Sequence, residues 1–171
     1  FFKTGEYALG DVFRTNSPAM DIQVASNFER FLFYHFDEDA NKLRRFMEEF
    51  ARSGKASVDA PLSSDIFLSC SISQSDTEET IAEINSKYDY VVDPHTAVGI
   101  RAARSIVTAD PIVCIATAHP AKFPDALGRA IGHRPTHARL SGLSDLQERK
   151  QEVPADESEV KKVIQNFTAP V

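Results

Sequence analysis

The chain has 171 residues, of which 42% are hydrophobic and 26% charged, and its formal net charge is −6. This composition predicts a globular domain with a sizeable core, and the acidic balance argues against a nucleic-acid partner. No apolar run approaches the roughly 18 residues of a membrane span, and no signal peptide opens the chain, so no membrane partner is expected. Cys70 and Cys114 lie in apolar runs without CxxC spacing, which predicts reduced thiols in a cytoplasmic protein.

The first segment is predicted to be extended or loop structure. Gly5, Gly10, Asn16 and Pro18 interrupt it at short intervals. The chain also begins at Phe1 rather than Met, which we take as an indication that it is a fragment.

Two helices are predicted next. Asn27 can cap the first and Asp39 the second, and Gly54 is a suitable residue to end the second. Their aromatic-rich stripes are expected to form core or helix contacts rather than a ligand site. The stripe residues are Phe28, Phe31, Leu32, His35 and Phe36, then Leu43, Phe46, Met47 and Phe50.

Strand and helix signals then alternate. The run "DIFLSCSIS", residues 65–73, has the period of a strand. Ser75 and Glu78 form a capping box for the helix that follows. The residues that this helix would bury are Ile81, Ile84 and Tyr88.

Two further strand-to-helix steps complete this pattern. After the short strand in "YDYVVD", Asp93 is the predicted N-cap of a helix and Pro94 its first residue. Residues 111–118, "PIVCIATA", are the most strand-like run, and Pro120 restarts a helix that Gly132 closes. The sequence then becomes polar, with a last amphipathic helix marked by Val160, Val163, Ile164 and Phe167.

The alternation predicts an α/β fold with a mostly parallel sheet flanked by helices, and with added helical segments. Ligands bind such sheets where strands end and helices begin. Thr117 lies at one such end and residues 93–96 at the previous one, so the two polar turns could face one crevice. Helix capping is the commoner explanation for residues of this kind, and spacing alone leaves the function open.

Three longer stretches carry a family resemblance: "SPAMDIQVASNFERFLF", "YVVDPHTAVGI" and "CIATAHPAKFPDAL". In this order they resemble the C-terminal half of the threonine synthases, pyridoxal-phosphate enzymes that make threonine from O-phosphohomoserine. The segments "FFKTGEY" and "SDTEET" fall where that family has similar ones. The resemblance is strongest over residues 1–132, whereas residues 133–171 are a polar C-terminal extension with a terminal helix.

The resemblance implies fold type II of the pyridoxal-phosphate enzymes, with the cofactor at strand ends between two α/β lobes. It implies a Schiff base with a lysine and a hydroxyl partner for the pyridine nitrogen, and Thr117 matches the position of that hydroxyl. The implied reaction converts O-phospho-L-homoserine and water to L-threonine and phosphate.

Two features of the family are not found in these residues: its lysine motif and its "SGN"-like phosphate loop. Lys122 stands in a different motif and is not expected to be the Schiff-base lysine. We therefore expect the chain alone to be inactive, and to complete one wall of a site whose remainder belongs to the N-terminal part of the same enzyme.

Five further residues are candidates for binding the substrate or its phosphate: Ser17, Asn27, Arg30, His95 and His119. A helix N-terminus with nearby polar groups suits a phosphate, and an arginine can clamp it with two hydrogen bonds. Alternatively, Asn27 only caps its helix and Arg30 pairs with a carboxylate. The two histidines could orient Thr117 or contact the substrate, or could be hydrogen-bonded structural residues.

Other interpretations remain. The chain could be a noncatalytic α/β module that binds a small phosphorylated ligand or a partner protein. It could also belong to another type II enzyme such as a threonine dehydratase, although "DPHTAVG" and "ATAHPAKF" argue against this. His133 and His137 have a metal-like spacing, but Pro135 interrupts the helix that would align them, so no metal site is predicted.

Overall fold

The computed structural model describes residues 1–59 and 67–168. The chain divides into two compact units, Phe1–Thr136 and His137–Val171. The first unit holds strands β1 (Glu6–Ala8) and β2 (Lys55–Ser57) and helices α1 (Phe28–His35), α2 (Ala40–Ser53), α3 (Gln74–Tyr88), α4 (Pro94–Arg104) and α5 (Pro124–Ile131). The second holds helix α6 (Glu157–Thr168). Short 3-10 turns lie at Pro18–Met20, Pro120–Lys122 and Leu143–Asp145.

One hydrophobic core forms between α1, α2 and the strands. β1 pairs with β2 in antiparallel register, with Tyr7 opposite Ala56. The Tyr7 ring stacks on that of Phe50 with centroids 4.4 Å apart, and the ring of Phe1 packs edge-on against Phe28 at 4.8 Å. The buried members of this core are Leu32, Phe46, Phe50 and Ala56. The aromatic stripes are therefore core, as the sequence predicts.

A second core forms between α3, α4 and α5, from the buried residues Ile81, Ile84, Val92, Ala97, Ala126 and Leu127. Burying a side chain as large as Leu127 contributes about 2 kcal/mol. The predicted burial of Ile81 and Ile84 is confirmed, but that of Tyr88 is wrong. Tyr88 is the last residue of α3 and is 58% exposed, and the Lys87 ammonium lies 5.2 Å from its ring centre.

The ends of α2 are those that the sequence predicts. The Asp39 carboxylate accepts hydrogen bonds from the backbone nitrogens of Asn41 and Lys42, at 2.9 and 3.1 Å. These bonds satisfy two of the N–H groups that a helix leaves without intrahelical partners. Gly54 ends the helix with φ of 76°, in the left-handed region where a Cβ is costly.

Two other predicted caps are wrong. Asn27 precedes α1, but its backbone is already helical and its side chain forms no capping hydrogen bond. The cap of α3 is Ser73 rather than Ser75, because Ser73 has the extended backbone that a cap needs. Its hydroxyl accepts a hydrogen bond from the Asp76 backbone nitrogen at 3.1 Å.

The helix predicted to restart at Pro120 begins later. Pro120–Lys122 form only a 3-10 turn, and Pro124 is the first residue of α5. A proline disfavours helical backbone in the residue before it, which accounts for the break at Phe123. Gly132 ends α5 with φ of 74°, as predicted.

The described residues contain one sheet, the antiparallel pair of β1 and β2, and not the mostly parallel sheet of the prediction. Residues 67–73, 90–92 and 111–118 are assigned to no strand, and the first two residues of the run 65–73 lie outside the described residues. Apolar side chains of the run 111–118 are exposed: Ile112 by 46%, Val113 by 78% and Ile115 by 72%. A strand requires a neighbour for its backbone N–H and C=O groups, and the described residues offer these segments none.

The described part of the second unit contains the predicted terminal helix. The Asp156 carboxylate caps α6 by accepting from the backbone nitrogens of Ser158 and Glu159, at 2.9 and 3.1 Å. The apolar stripe of this helix stays largely exposed, with Phe167 at 82%. Among all described residues, no helix is both long and apolar enough to cross a membrane.

Candidate functional site

A buried hydrogen-bond network surrounds the first turn of α4. Asp93 is 1% exposed and caps this helix, as predicted. Its Oδ1 accepts from the backbone nitrogen of His95 at 3.0 Å and from that of Thr96 at 3.5 Å. Its Oδ2 accepts from the Thr96 hydroxyl. A carboxylate with this many donors is well compensated for its burial.

His95 extends the network to a distant loop. Its Nδ1 lies 3.0 Å from Asp93 Oδ1, and its Nε2 accepts from the backbone nitrogen of Ala19 at 3.3 Å. These partners assign the neutral tautomer in which Nδ1 carries the proton and donates to Asp93. The ring packs on Phe123 with centroids 4.8 Å apart. Both ring nitrogens are therefore engaged within the chain.

The loop that His95 reaches is a tight polar turn around Ser17. Thr15 donates to Asp21 through its hydroxyl and its backbone nitrogen, both at 2.8 Å. Ser17 is 4% exposed, and its Oγ lies 3.1 Å from Thr15 Oγ1. The predicted candidate Ser17 is thus buried inside the turn. Beside the turn lies a cavity of about 450 Å³ whose lining includes Arg14, Thr15 and Asp21.

A second polar cluster holds the same loop and was not anticipated from the sequence. Asn16 donates to Glu78 Oε1 at 2.6 Å, and Arg129 donates to the same oxygen at 3.3 Å and to Asn16 Oδ1. The cluster joins the loop to α3 and α5. Its members are 62 and 113 positions from Asn16, so no local sequence signal relates them.

An ion pair joins α3 to α4. Arg101 donates to Asp76 Oδ1 at 2.6 Å. The hydrogen bond from the Ser73 hydroxyl, together with the charge of Arg101, holds the pKa of Asp76 below its ordinary value. Asp76 therefore stays ionised and holds Arg101 in place at ordinary pH.

Asn27 and Arg30 present polar groups at the beginning of α1. Both side chains are exposed. Among the described residues, Arg30 forms no ion pair and Asn27 no side-chain hydrogen bond. The two structural alternatives for these residues, a cap for Asn27 and a carboxylate partner for Arg30, are therefore absent from the described part of the chain. An exposed amide and guanidinium at a helix N-terminus are chemically suited to an anion.

Thr117 and His119 follow the apolar run 111–116. Thr117 is exposed and its hydroxyl forms no hydrogen bond with the described residues. His119 Nδ1 accepts from the Ala121 backbone nitrogen at 3.1 Å and caps the 3-10 turn. Phe123, which ends that turn, is the residue in contact with His95. The contact of His95 with Phe123 joins the first turn of α4 to the end of the 3-10 turn that follows His119. Among the described residues, no hydrogen bond joins Thr117 to the Asp93 network, so the shared crevice of the two predicted turns stays a prediction.

The remaining side chains singled out in the sequence are those of His133, Cys70, Cys114 and Lys122. Within residues 1–59 and 67–168 there is no group of three or more potential metal-ligating side chains. His133 Nδ1 lies 3.3 Å from the carbonyl oxygen of Ile131. Cys70 is exposed, Cys114 is half-buried, and both are free thiols, as predicted. Lys122 is exposed on the 3-10 turn.

Comparison with known proteins gives a consistent class. Residues 96–164 match the family model of the threonine synthase C-terminal region. This match begins at Thr96 in the first turn of α4 and includes Thr117 and α5. It continues well beyond Gly132 into the segment with the weaker resemblance.

Individual relatives are threonine synthases. The chain is 37% identical over 169 residues to that of Pseudomonas aeruginosa, which covers 95% of this chain and 36% of the relative. It is 36% identical over 179 residues to the threonine synthase of Saccharomyces cerevisiae, and the match covers 91% of this chain and 33% of the relative. A crystal structure of threonine synthase from Brucella melitensis with pyridoxal phosphate bound superposes with a TM-score of 0.77 and 36% identity, over 97% of this chain and 37% of that one.

The chain is therefore similar, over nearly its whole length, to part of the threonine synthases, and residues 96–164 are similar to their C-terminal region. This agrees with the resemblance drawn from its sequence. It spans about a third of the length of the relatives that it matches. These matches favour neither a threonine dehydratase nor an unrelated binding module.

Proposed function

We propose that the chain is the C-terminal part of a pyridoxal-phosphate-dependent threonine synthase, which converts O-phospho-L-homoserine and water to L-threonine and phosphate. The observation that carries this proposal is its similarity, over 95–97% of its length, to threonine synthases that include one with the cofactor bound. On this account the chain is inactive alone and works joined to the N-terminal part of the enzyme. Its free cysteines fit a cytoplasmic location.

Thr117 is the proposed partner of the cofactor ring. When bound, pyridoxal phosphate supplies an electron sink for negative charge that develops on substrate carbon. The exposed Thr117 hydroxyl, without a partner among the described residues, fits a hydrogen bond donated to the pyridine nitrogen. Unlike a carboxylate, a hydroxyl does not hold that nitrogen firmly protonated. Thr117 thereby sets how strongly the cofactor ring withdraws electrons from the substrate carbon.

Asn27 and Arg30 are the proposed contacts of the substrate phosphate. Their exposure and their lack of partners in the described chain leave an amide and five guanidinium N–H donors available. A planar guanidinium can donate two parallel hydrogen bonds to one phosphate. Ser17 and His119 are also proposed to lie near the substrate. The Ser17 side chain would do so as a buried part of its turn.

The exposed run 111–116 supports the proposed type II fold with a mostly parallel sheet. Ile112, Val113 and Ile115 expose large apolar side chains that a soluble protein normally covers. Pairing with strands of the N-terminal part would bury these side chains and satisfy the backbone of the run. It would also fix Thr117 at the end of a strand, where ligands bind in such sheets.

Paired substitutions at Thr117 test the proposal in the enzyme that carries this chain. Thr117→Val removes the hydroxyl at nearly constant shape, and we expect turnover and cofactor affinity to fall about tenfold, since one hydrogen bond is lost. Thr117→Ser should retain most of both. Thr108→Val is the control, because the exposed Thr108 hydroxyl has only local bonds with Asp110, to its carboxylate at 3.5 Å and from its backbone nitrogen at 3.1 Å, and has no assigned role. Equal activity of the Thr117→Val and Thr108→Val proteins would refute the assignment.

A further inference from the structure

His95 is a buried histidine whose ring nitrogens are both hydrogen-bonded within the chain. Its side chain is buried, with the residue 7% exposed, and the bonds of both ring nitrogens are made with protein atoms. A substrate atom could reach Nε2 only by displacing the Ala19 backbone nitrogen, which lies 3.3 Å away. Direct substrate binding by His95 would therefore require the loss of its hydrogen bond with Ala19.

The two bonds of His95 join segments that are 76 positions apart. On one side, Nδ1 is held by Asp93, which is fixed by the N-terminal turn of α4. On the other side, Nε2 holds the backbone of the 3-10 turn Pro18–Met20. The Phe123 ring packs against the imidazole, with the two ring planes tilted by 55°.

The turn that His95 holds begins at Ser17 and precedes α1. Within the turn, bonds from Thr15 to Asp21 fix its local shape, but they do not fix its position on the rest of the molecule. Position comes from contacts with other elements: the Asn16 cluster with Glu78 and Arg129, and the bond from Ala19 to His95. In the Asn16 cluster the Arg129 and Glu78 side chains are 52% and 28% exposed. The His95 side chain is 8% exposed, and its bond with Ala19 is part-buried.

We infer that His95 is a positioning residue: its Nε2 anchors the Ala19 backbone, and so places the Ser17–Met20 turn against the first turn of α4. Its role is to accept one backbone hydrogen bond while Asp93 fixes its tautomer. The consequence for the substrate rests on the proposed function, because Ser17 and the N-terminus of α1 then lie where the phosphate is bound. The anchoring itself does not depend on that function.

Two amide substitutions separate the two bonds of His95. In His95→Gln the side-chain oxygen reaches the place of Nε2 and can accept from Ala19, whereas in His95→Asn the shorter amide reaches Asp93 only. In the enzyme that carries this chain, we expect amide hydrogen exchange at Ala19 to rise roughly fivefold in His95→Asn, which corresponds to one lost hydrogen bond. His95→Gln should exchange nearly as wild type does.

Hydrogen exchange at a second backbone amide, that of Ala97, distinguishes a positioning role of His95 from general destabilisation of the protein. The Ala97 backbone nitrogen donates to the Asp93 carbonyl at 2.9 Å within α4, so its exchange should stay unchanged in His95→Asn. His133→Asn, a substitution outside the network, is the matched control. Exchange that rises equally at Ala19 and Ala97, or His95→Gln behaving as His95→Asn does, would overturn the inference.

Two further measurements keep the test independent of folding and of the proposed function. If His95→Asn does not fold, nitrogen-15 NMR of the wild-type ring decides: a proton on Nδ1 is expected, and a proton on Nε2 would overturn the inference. With O-phospho-L-homoserine, His95→Asn should raise KM about fivefold and change kcat less, because turn placement affects binding. An enzyme inactive even as wild type would refute the proposed function, while the exchange data would still decide the role of His95.

Discussion

Asp93 Oδ1 accepts hydrogen bonds from both the backbone nitrogen and the ring Nδ1 of His95, each at 3.0 Å. The same carboxylate caps α4 and fixes the histidine that reaches Ala19. A single buried side chain therefore connects the stability of a helix to the position of a distant loop.

Loss of the Asp93 carboxylate should destabilise the chain more than loss of an ordinary cap. Asp93→Ala removes a cap and leaves buried donors of His95 and Thr96 unsatisfied, so we expect a loss of about 3 kcal/mol. Asp39→Ala removes a solvent-exposed cap of α2, where water can replace the lost bonds, and should cost clearly less. Urea unfolding of the two variants measures the difference, and equal losses would argue against the buried network.

The cap of α2 should weaken in acid. Hydrogen bonds from the backbone nitrogens of Lys42 and Asn41 lower the pKa of Asp39 below its ordinary value of 3.8. A lowered folded-state pKa contributes stability that is present above the unfolded-state value and is lost as pH falls through the folded one. In Asp39→Asn the side-chain amide oxygen would accept the same bonds without titrating.

Thermal unfolding of wild type and Asp39→Asn between pH 7 and pH 2 tests this cap. The stability difference between the two proteins should be constant down to about pH 4 and should then shift in favour of the variant. A difference that changes mainly above pH 5 would contradict the assignment to Asp39.

The run 111–116 should matter for assembly rather than for the stability of the isolated chain. Val113 is 78% exposed, and its backbone has no partner in the described chain. Val113→Pro removes the N–H that a neighbouring strand would use, so we expect the enzyme to lose soluble yield and cofactor binding. Val113→Thr keeps the branched shape and the N–H and should be tolerated. A fully active Val113→Pro enzyme would show that this run pairs with no strand.

Arg30 should affect substrate affinity through its geometry as well as its charge. Arg30→Ala should raise KM for O-phospho-L-homoserine about tenfold or more, since a charge-assisted contact contributes roughly 1.5–3 kcal/mol. Arg30→Lys keeps the charge but loses the two-bond fork, so we expect an intermediate value. Arg52→Ala, at the exposed end of α2, is the control. An unchanged KM in Arg30→Ala would show that Arg30 does not contact the substrate phosphate.

Local signals in the sequence predicted the helices well. The sequence correctly predicted the helix N-caps Asp39 and Asp93 and the helix-ending glycines Gly54 and Gly132. Such positions are predictable because capping involves residues only a few positions apart. Ser73 was missed in favour of Ser75 because both serines precede acidic residues, and only the extended backbone of Ser73 separates them.

Long-range features were harder to predict. The bond from Ala19 to His95 and the cluster of Asn16, Glu78 and Arg129 join residues that no periodicity relates. The apolar run 111–118 has the composition of a buried strand, but composition cannot supply the neighbouring strand that would pair with it. The resemblance to threonine synthases indicated the class, whereas the roles of single side chains required their hydrogen-bond partners.

The most direct test of the central claim is a crystal structure, with pyridoxal phosphate bound, of the full-length protein that contains this chain, which we propose to be a threonine synthase. The account predicts that Thr117 Oγ1 lies within hydrogen-bond distance of the pyridine nitrogen, about 2.7–3.2 Å. A separation beyond about 4 Å, with another side chain bonded to that nitrogen, would contradict it.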